Sequence, residues 1–437
     1  MQLEAERLAT AFLAGPWEAT ALYERAALVV GKRSRWLERL SHRIHAKGAA
    51  KGALQQRTVV EWIVGDRGFV QRCEYPDLAV NTAVWNERPT VRPVPGAPST
   101  WRIPSIATAG ELAAWLGITA DELEWFAGRR DWRRRSPNER SRHYLYRAIK
   151  KRHGEIRLLE VPKHRLRKLQ RQVLHRLLDE IPPPEAAHGF RSGRSIRSFA
   201  APHADRRIVI RLDLRDFFPM IGAGRLLHIF LTAGYPETVS RLLTGLCTHT
   251  ANADAIASLD LPLAQRRRLE AFYGRPHLPQ GAPTSPALAN LAAYRLDCRL
   301  TALAASMEAN YTRYADDLAF SGGHELARAS RRFHVQVAAI ASDEGFAVRP
   351  RKTRIMRAGA RQHLAGVVVN RHPNLARTKY DRLKAILHNC IQNGPDAENR
   401  DGHADFRAHL AGSVAYAKML NPARGRRLRA LFEQIVW

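Results

Sequence analysis

Cysteine is scarce in this 437-residue chain. Cys73, Cys247, Cys298 and Cys390 stand far apart and no C-x-x-C pair occurs. That excludes a disulfide framework and argues against a cysteine zinc site, so the four read as free buried thiols in a reducing compartment. Nor do the 18 histidines form a metal-ligand spacing, and no zinc is assigned. Long hydrophobic runs are missing too, none approaching the ~20 residues that cross a bilayer. The first residues, Met-Gln-Leu-Glu-Ala-Glu-Arg, are acidic and amphipathic, unlike the basic start of a signal peptide. A cytoplasmic protein without a membrane partner is the expectation. Acid is the third scarcity: 41 Asp and Glu face 70 Lys and Arg, a net charge of +29. So large an excess repels itself in a compact state and points to a polyanion, nucleic acid before an anionic membrane surface. The 45% hydrophobic content is ordinary, and the length suits two or three domains.

Residues 1–84 read as helical, with Leu8, Phe12 and Leu13, then Leu22, Ala26 and Val29 or Val30, at helical spacing. Segment 31–51 sets Lys32, Arg33, Arg35, Arg39, Arg43, Lys47 and Lys51 around Trp36, either a solvated face or an RNA contact. Pro89, Pro93, Pro95, Pro98 and Pro104 then crowd a stretch that supports neither helix nor central strand. A short helical hairpin follows, broken at Gly117 and restarted by Thr119 as N-cap of Asp121–Phe126. Window 129–176 carries 18 Lys and Arg against four acids, an excess of 14. Phosphate binding is expected there, and the interleaved His143, Tyr144 and Tyr146 could stack on bases or pack in a core.

From about residue 180 strand and helix signals alternate. Arg207–Leu214 reads as a strand with Ile208, Ile210 and Leu212 on one face and Val209 on the other. Residues 284–305 read as one long helix, Asn310–Ser321 as two strands with a tight turn, and Thr378–Ile391 and Asp405–Leu420 as helices. Thr378 is the expected N-cap of the first of these two, and Gly394-Pro395 its stop.

Three carboxylates stand where burial should forbid them. Asp213 ends an apolar strand, while Asp316 and Asp317 occupy the turn between Tyr311–Tyr314 and Leu318–Ser321. Strand alternation puts Tyr314 and Asp316 on one face. Clustered acids repel unless a cation lies between them, and hard oxygen ligands suit Mg²⁺. Two such ions about 3.5–4 Å apart are a standard device for in-line attack of a hydroxyl on phosphate.

Tyr314-Ala315-Asp316-Asp317 resembles the Y-x-D-D box of reverse transcriptases. The run Ile210–Phe218 is similar to their first carboxylate motif, and Leu278–Pro286 to the P-Q-G-x-x-x-S-P motif between. The resemblance covers about residues 130–437. Within the family the chain looks most like the bacterial retron type: Ala187–Ile196 is similar to an H-G-F-x-x-G-R-S-I segment, and Ala200 and His203 fall in an N-A-x-x-H motif. Two positions depart from that pattern, Phe199 in place of Asn and Leu364-Ala365-Gly366 in place of Val-Thr-Gly.

The resemblance implies an α/β right-hand polymerase, with fingers and palm over 101–370 and a helical thumb over 371–437. Residues 1–100, which it does not reach, read from their spacing as a helical N-terminal domain ending in the Pro-rich linker. It implies RNA-directed DNA synthesis with Asp213, Asp316 and Asp317 holding two Mg²⁺ ions. Leu214, Phe218, Gln280, Arg157 and Lys352 would meet the incoming nucleotide: Phe218 as the gate against a ribose 2′-OH, Arg157 on the triphosphate, Lys352 as proton donor to pyrophosphate. Asp216 reads as structural. Expected partners are dNTPs, a structured noncoding RNA serving as template and primer, its DNA product and a defence effector protein. Antiphage defence through a branched RNA–DNA is the implied role. The alternatives are another defence-associated or group II intron-like reverse transcriptase, and an inactive RNA-binding scaffold.

The basic window yields a test. If Arg133, Arg134, Arg135, Lys150, Lys151 and Arg152 pair with phosphates, changing all six to Gln weakens RNA binding across sequences. The slope of log K against log[salt] then falls by up to ~0.7 per lost contact. RNA affinity measured at several salt concentrations checks this, and an unchanged slope means the window is not the RNA cradle.

Overall fold

Alternating apolar strands and amphipathic helices must each bury a face, and here they do so in two compact units, residues 1–182 with 218–288 and residues 183–217 with 289–437. The structure, a computed structural model, describes residues 1–13, 17–48, 56–74, 80, 101–128, 143–150, 156–251, 256–257, 259 and 261–437, and of Lys150 the backbone alone.

The first unit begins with the helices Gln2–Leu13, Ala19–Val30, Arg35–Gly48, Gln56–Val64 and Arg67–Cys73. Leu8, Phe12, Leu22, Leu37, Leu40, Ile44, Ile63 and Phe69 form their core, as the spacing of the first predicts. Arg25 is buried among them, and its guanidinium donates to the Ala11 and Phe12 carbonyls (3.0 and 2.9 Å) at the end of the first helix. Those carbonyls have no partner within their own helix, so the cation is satisfied rather than stranded. The helical hairpin is Ala109–Leu116 and Ala120–Phe126. Gly117 takes the left-handed cap between them, and Thr119 with Glu122 closes a capping box. Strands β1 (Tyr144–Lys150) and β2 (Ile156–Pro162) form an antiparallel ribbon.

In the second unit β3 (Ile208–Asp213), β4 (Asn310–Tyr314), β5 (Asp317–Gly322) and β6 (Arg354–Arg357) form an antiparallel sheet of order β4-β5-β3-β6. Helix His324–Asp343 covers one face, where Phe320 meets Phe333 edge-on at 5.1 Å. Val209 and Ala319 join the core under the helices Arg377–Asn393, Phe406–Leu420 and Pro422–Phe432. The sheet is therefore covered on both sides, so β3 carries apolar residues on both faces, with Arg211 the one charged residue before Asp213. A two-residue pair, β7 (His363–Leu364) and β8 (Val367–Val368), follows.

Three expectations need correction. The long helix is broken at Ala293 into Ser285–Ala292 and Tyr294–Ala305. Helix Arg377–Asn393 starts before Thr378, with Ala376 as an N-cap that lends no side chain, although Gly394 does end it. Cys298 is exposed and Cys73 half-buried, while Cys247 and Cys390 are buried as expected. Of the two readings open for His143, Tyr144 and Tyr146, the structure shows packing: Tyr144 stacks on His249 at 4.0 Å, the Tyr146 hydroxyl lies 2.6 Å from His249 Nε2, and His143 packs on Trp125 at 4.4 Å. Burying a ring beats exposing it for a partner, and strand spacing alone did not reveal their neighbours. Pro89, Pro93, Pro95 and Pro98 lie outside the described residues. Among the described residues no helix is long and apolar enough to cross a membrane.

The last two helices pack through a glycine. A Cβ at Gly425 would lie 2.2 Å from Lys418 Cα, whereas one at Gly412 meets nothing within 4 Å. Gly425→Ala should cost about 1–3 kcal/mol by overpacking, and Gly412→Ala, in the same hairpin, should gain about 0.5–1 kcal/mol from the lost chain entropy. Thermal melting of both variants checks the contrast.

Candidate active site

Hydrogen bonding along β3 carries Asp213 to the end of that central strand of the second unit's sheet, directly opposite Asp317 on β5. The β4–β5 connection is Ala315-Asp316, not Asp316-Asp317: Asp317 already opens β5, paired with Tyr314. Ala315 takes φ +56°, a left-handed conformation that tightens the turn and interrupts the strand alternation expected of Tyr314 and Asp316. The Tyr314 ring packs on Phe199, 5.6 Å away. Asp316 is tied back to β3, its carbonyl accepting from Leu214 N at 2.8 Å. Leu214 itself is buried, and Arg349 N donates to the Asp213 carbonyl at 2.8 Å.

Cations balance the acids. Lys352 Nζ donates to Asp213 Oδ2 at 2.8 Å, and Arg349 Nε stands 3.3 Å from Asp213 Oδ1. Arg211 Nη2 donates to both oxygens of Asp317 (2.7 and 2.9 Å), with Nε adding a bond of 3.0 Å to Oδ1. Asp213 is 4% exposed, and its Oδ1 accepts no hydrogen bond. Burial, then the charges of Asp213 and Asp317, push the Asp316 carboxyl above the usual carboxylate range. Burial pushes Asp317 up as well, against the pull of Arg211. Among the described residues no three His, Cys, Asp or Glu side chains close into a preformed metal cage. The donor chemistry still fits a hard divalent cation at Asp213 and Asp316: an orphaned buried oxygen and a carboxylate raised by its neighbours both gain from one. Asp317, with both oxygens on Arg211, is the least free of the three.

The remaining nucleotide-facing residues named from sequence lie in the first unit, apart from Lys352. Arg157 is exposed on β2 opposite Ile149. Three residues on, Glu160 N donates to the Gln280 carbonyl at 2.9 Å, fastening the Pro279-Gln280-Gly281 loop to that strand. Phe218 is half-buried, and its carbonyl accepts from Ile221 N. Arg133, Arg134, Arg135, Lys151, Arg152 and the Lys150 side chain lie outside the described residues.

The profile of the family Reverse transcriptase (RNA-dependent DNA polymerase) matches residues 149–383, more than half the chain. The chain is 40% identical over 333 residues to the Retron Mx65 reverse transcriptase of Myxococcus xanthus, covering 75% of this chain and 71% of that one. It belongs to the retron-type reverse transcriptases. Similarity extends to the Retron Mx162 enzyme of Myxococcus xanthus (35%, covering 75% and 67%) and the Retron Ec86 enzyme of Escherichia coli (30%, covering 66% and 79%). The activity is RNA-directed DNA polymerisation, and reverse transcriptases of this kind generally use divalent metal ions.

The two departures from the retron pattern are accommodated locally. Phe199 is fully buried, filling core between Tyr314 and His203. His203 bridges the Ser321 and Thr312 hydroxyls at 2.7 Å each, and burial lowers its pKa to about 3, so it stays neutral. Ala365 adopts φ +45° in the turn between β7 and β8. Sequence reasoning missed Arg211 and Arg349. The signal was present for Arg211, since a charged residue inside the apolar run Ile208–Leu212 requires a partner.

A carboxyl whose pKa is raised by folding contributes its stability at low pH and loses it as pH rises through the raised value. Asp316→Asn removes that liability. Without divalent metal the variant should melt higher than the parent at neutral pH. The difference should shrink below the raised value and vanish below the ordinary carboxylate pKa of about 4. Melting in chelator across pH checks the sign, and no gain at neutral pH would contradict the charge account.

Proposed function

We propose that this reverse transcriptase copies a structured noncoding RNA, which serves as template and primer, into a branched RNA–DNA used in antiphage defence. Asp213 and Asp316, with Asp317 beside them, hold two Mg²⁺ ions. The observation that carries the reading is the cluster itself, three acids drawn together where β3 ends and β5 begins, with one buried Asp213 oxygen accepting no hydrogen bond. A structural role gives no reason to assemble like charges there.

Bound Mg²⁺ supplies a lowered pKa for the attacking hydroxyl and charge stabilisation for the leaving pyrophosphate. The chain's own residues do the rest. Lys352, paired with Asp213 at 2.8 Å, is the proton donor to pyrophosphate. Arg211 fixes the Asp317 carboxylate on β5 through a fork of hydrogen bonds. Phe218 excludes a ribose 2′-OH, Gln280 and Leu214 border the nucleotide, and Arg157 grips its triphosphate. The polymerase part is read as fingers and palm over 101–370, with the thumb at 371–437 and an N-terminal extension over 1–100. The 129–176 window with Arg133, Arg134, Arg135, Lys150, Lys151 and Arg152 is read as the RNA cradle.

One experiment tests both the product and the site: sequencing the nucleic acid that copurifies with the parent and with Asp316→Asn. The parent should carry a single branched RNA–DNA, and the variant the same RNA without DNA. DNA on the variant would overturn the carboxylate assignment. A heterogeneous, unbranched population on the parent would overturn the proposed product.

A further inference from the structure

Beneath the Ala315-Asp316 turn lies a buried cation that the polymerase motifs do not include. Arg313 on β4 has no exposed surface. Its Nε and Nη2 donate to Asp297 Oδ1 and Oδ2 (2.8 and 2.6 Å), a carboxylate 1% exposed on helix Tyr294–Ala305. Tyr311 OH donates to the same Oδ1 at 2.8 Å. Nη1 reaches forward to Asn290 Oδ1 (3.0 Å) and to the carbonyl of Ala315 (3.2 Å). The Phe217 ring closes over the guanidinium, 5.8 Å away.

The other side of the turn is held by the segment before it. Arg313 N donates to Ala186 O (2.7 Å), and His188 N donates to Arg313 O (2.8 Å). Asn290 Nδ2 donates to Gly189 O at 2.9 Å, so one side chain joins the guanidinium to this segment. Gly189 then lies flat on the turn: a Cβ there would stand 2.7 Å from Ala315 N and 3.2 Å from the Tyr314 carbonyl carbon.

We infer that Arg313, fixed by Asp297 and Asn290 and backed by Gly189, is a positioning device that sets the Ala315-Asp316 turn and through it the Asp316 carboxylate. An ion pair serving stability alone needs no contact with the turn, and apolar residues of similar volume often replace such a pair without loss. Here the guanidinium also donates from Nη1 to the carbonyl of a non-glycine residue at φ +56°, a conformation alanine rarely holds unaided. Lysine cannot substitute, because a point charge can hold Asp297 but cannot also fork to Asn290 and Ala315. The inference rests on the reading of Asp316 as a metal ligand.

The test compares Arg313→Lys, which keeps the charge beside Asp297, with Gly189→Ala, which pushes on the turn and leaves the ion pair alone. Displacing a reacting group by an ångström can cost roughly 10²-fold in rate. Both variants should lower kcat for primer extension by about that factor or somewhat less. Both should raise the dissociation constant for Mn²⁺, measured by titration without nucleic acid. KM for dNTP, RNA affinity and the fold by circular dichroism should stay near the parent's. Unchanged kcat and Mn²⁺ affinity in either folded variant overturns the inference, and if Arg313→Lys does not fold, Gly189→Ala decides. Asp316→Asn is the reference. If it binds Mn²⁺ and extends primers like the parent, the metal reading fails. If it is inactive while the other two variants behave as the parent, only the positioning role fails.

Discussion

Like charges brought out of water dominate this structure. Asp213, Asp316 and Asp317 converge because β3 and β5 pair in a register that sets Asp213 against Asp317, with Asp316 one residue earlier in the turn. Carboxylates so placed need positive charge, and the second unit supplies it in two different forms. Arg211 engages Asp317 by a planar fork from within the sheet, an arrangement with defined geometry. Lys352 reaches Asp213 as a single mobile ammonium from a side chain 42% exposed. The contrast assigns different tasks. The forked acid is held in place, and the acid paired with lysine is the one that can exchange its cation.

Around this cluster the fold works mainly to fix backbone. Segment 347–352 runs beside β3's end, with Arg215 N on the Ala347 carbonyl and Arg349 N on that of Asp213. His203 ties β4 to β5 from inside as a neutral ring between two hydroxyls, and Arg313 ties β4 to the helix Tyr294–Ala305 as a buried cation paired with Asp297. Each of these two buried groups therefore has partners that also fix a strand. The first unit shows the same habit on a different loop, where Glu160 N holds the Gln280 carbonyl and the Glu160 carboxylate meets buried His277 at 2.7 Å.

The sequence made the polymerase legible because its chemistry sits in contiguous runs: an apolar strand ending in Asp213, a Pro-Gln-Gly loop, and adjacent acids between two strand signals. Helix punctuation was legible where a side chain performs it, as at Thr119 and Gly117, and failed where backbone alone suffices, as at Ala376. Long-range partners were not legible. Nothing near Arg211 in the chain names Asp317, 106 residues away, and nothing near Tyr144 names His249. Local periodicity reports which face is apolar but not which element covers it. For the same reason Val209 was assigned to a separate face without the helices that bury it.

The account turns on Asp213 and Asp316 as the carboxylates that would hold a divalent cation, with Lys352 as the ammonium paired with Asp213. Crystals soaked in Mn²⁺ test it through anomalous scattering. The account predicts a peak beside the Asp213 and Asp316 carboxylates, with Lys352 Nζ withdrawn from its 2.8 Å contact with Asp213 Oδ2. A metal bound elsewhere, or no metal with the Lys352–Asp213 pair intact at saturating Mn²⁺, would contradict it.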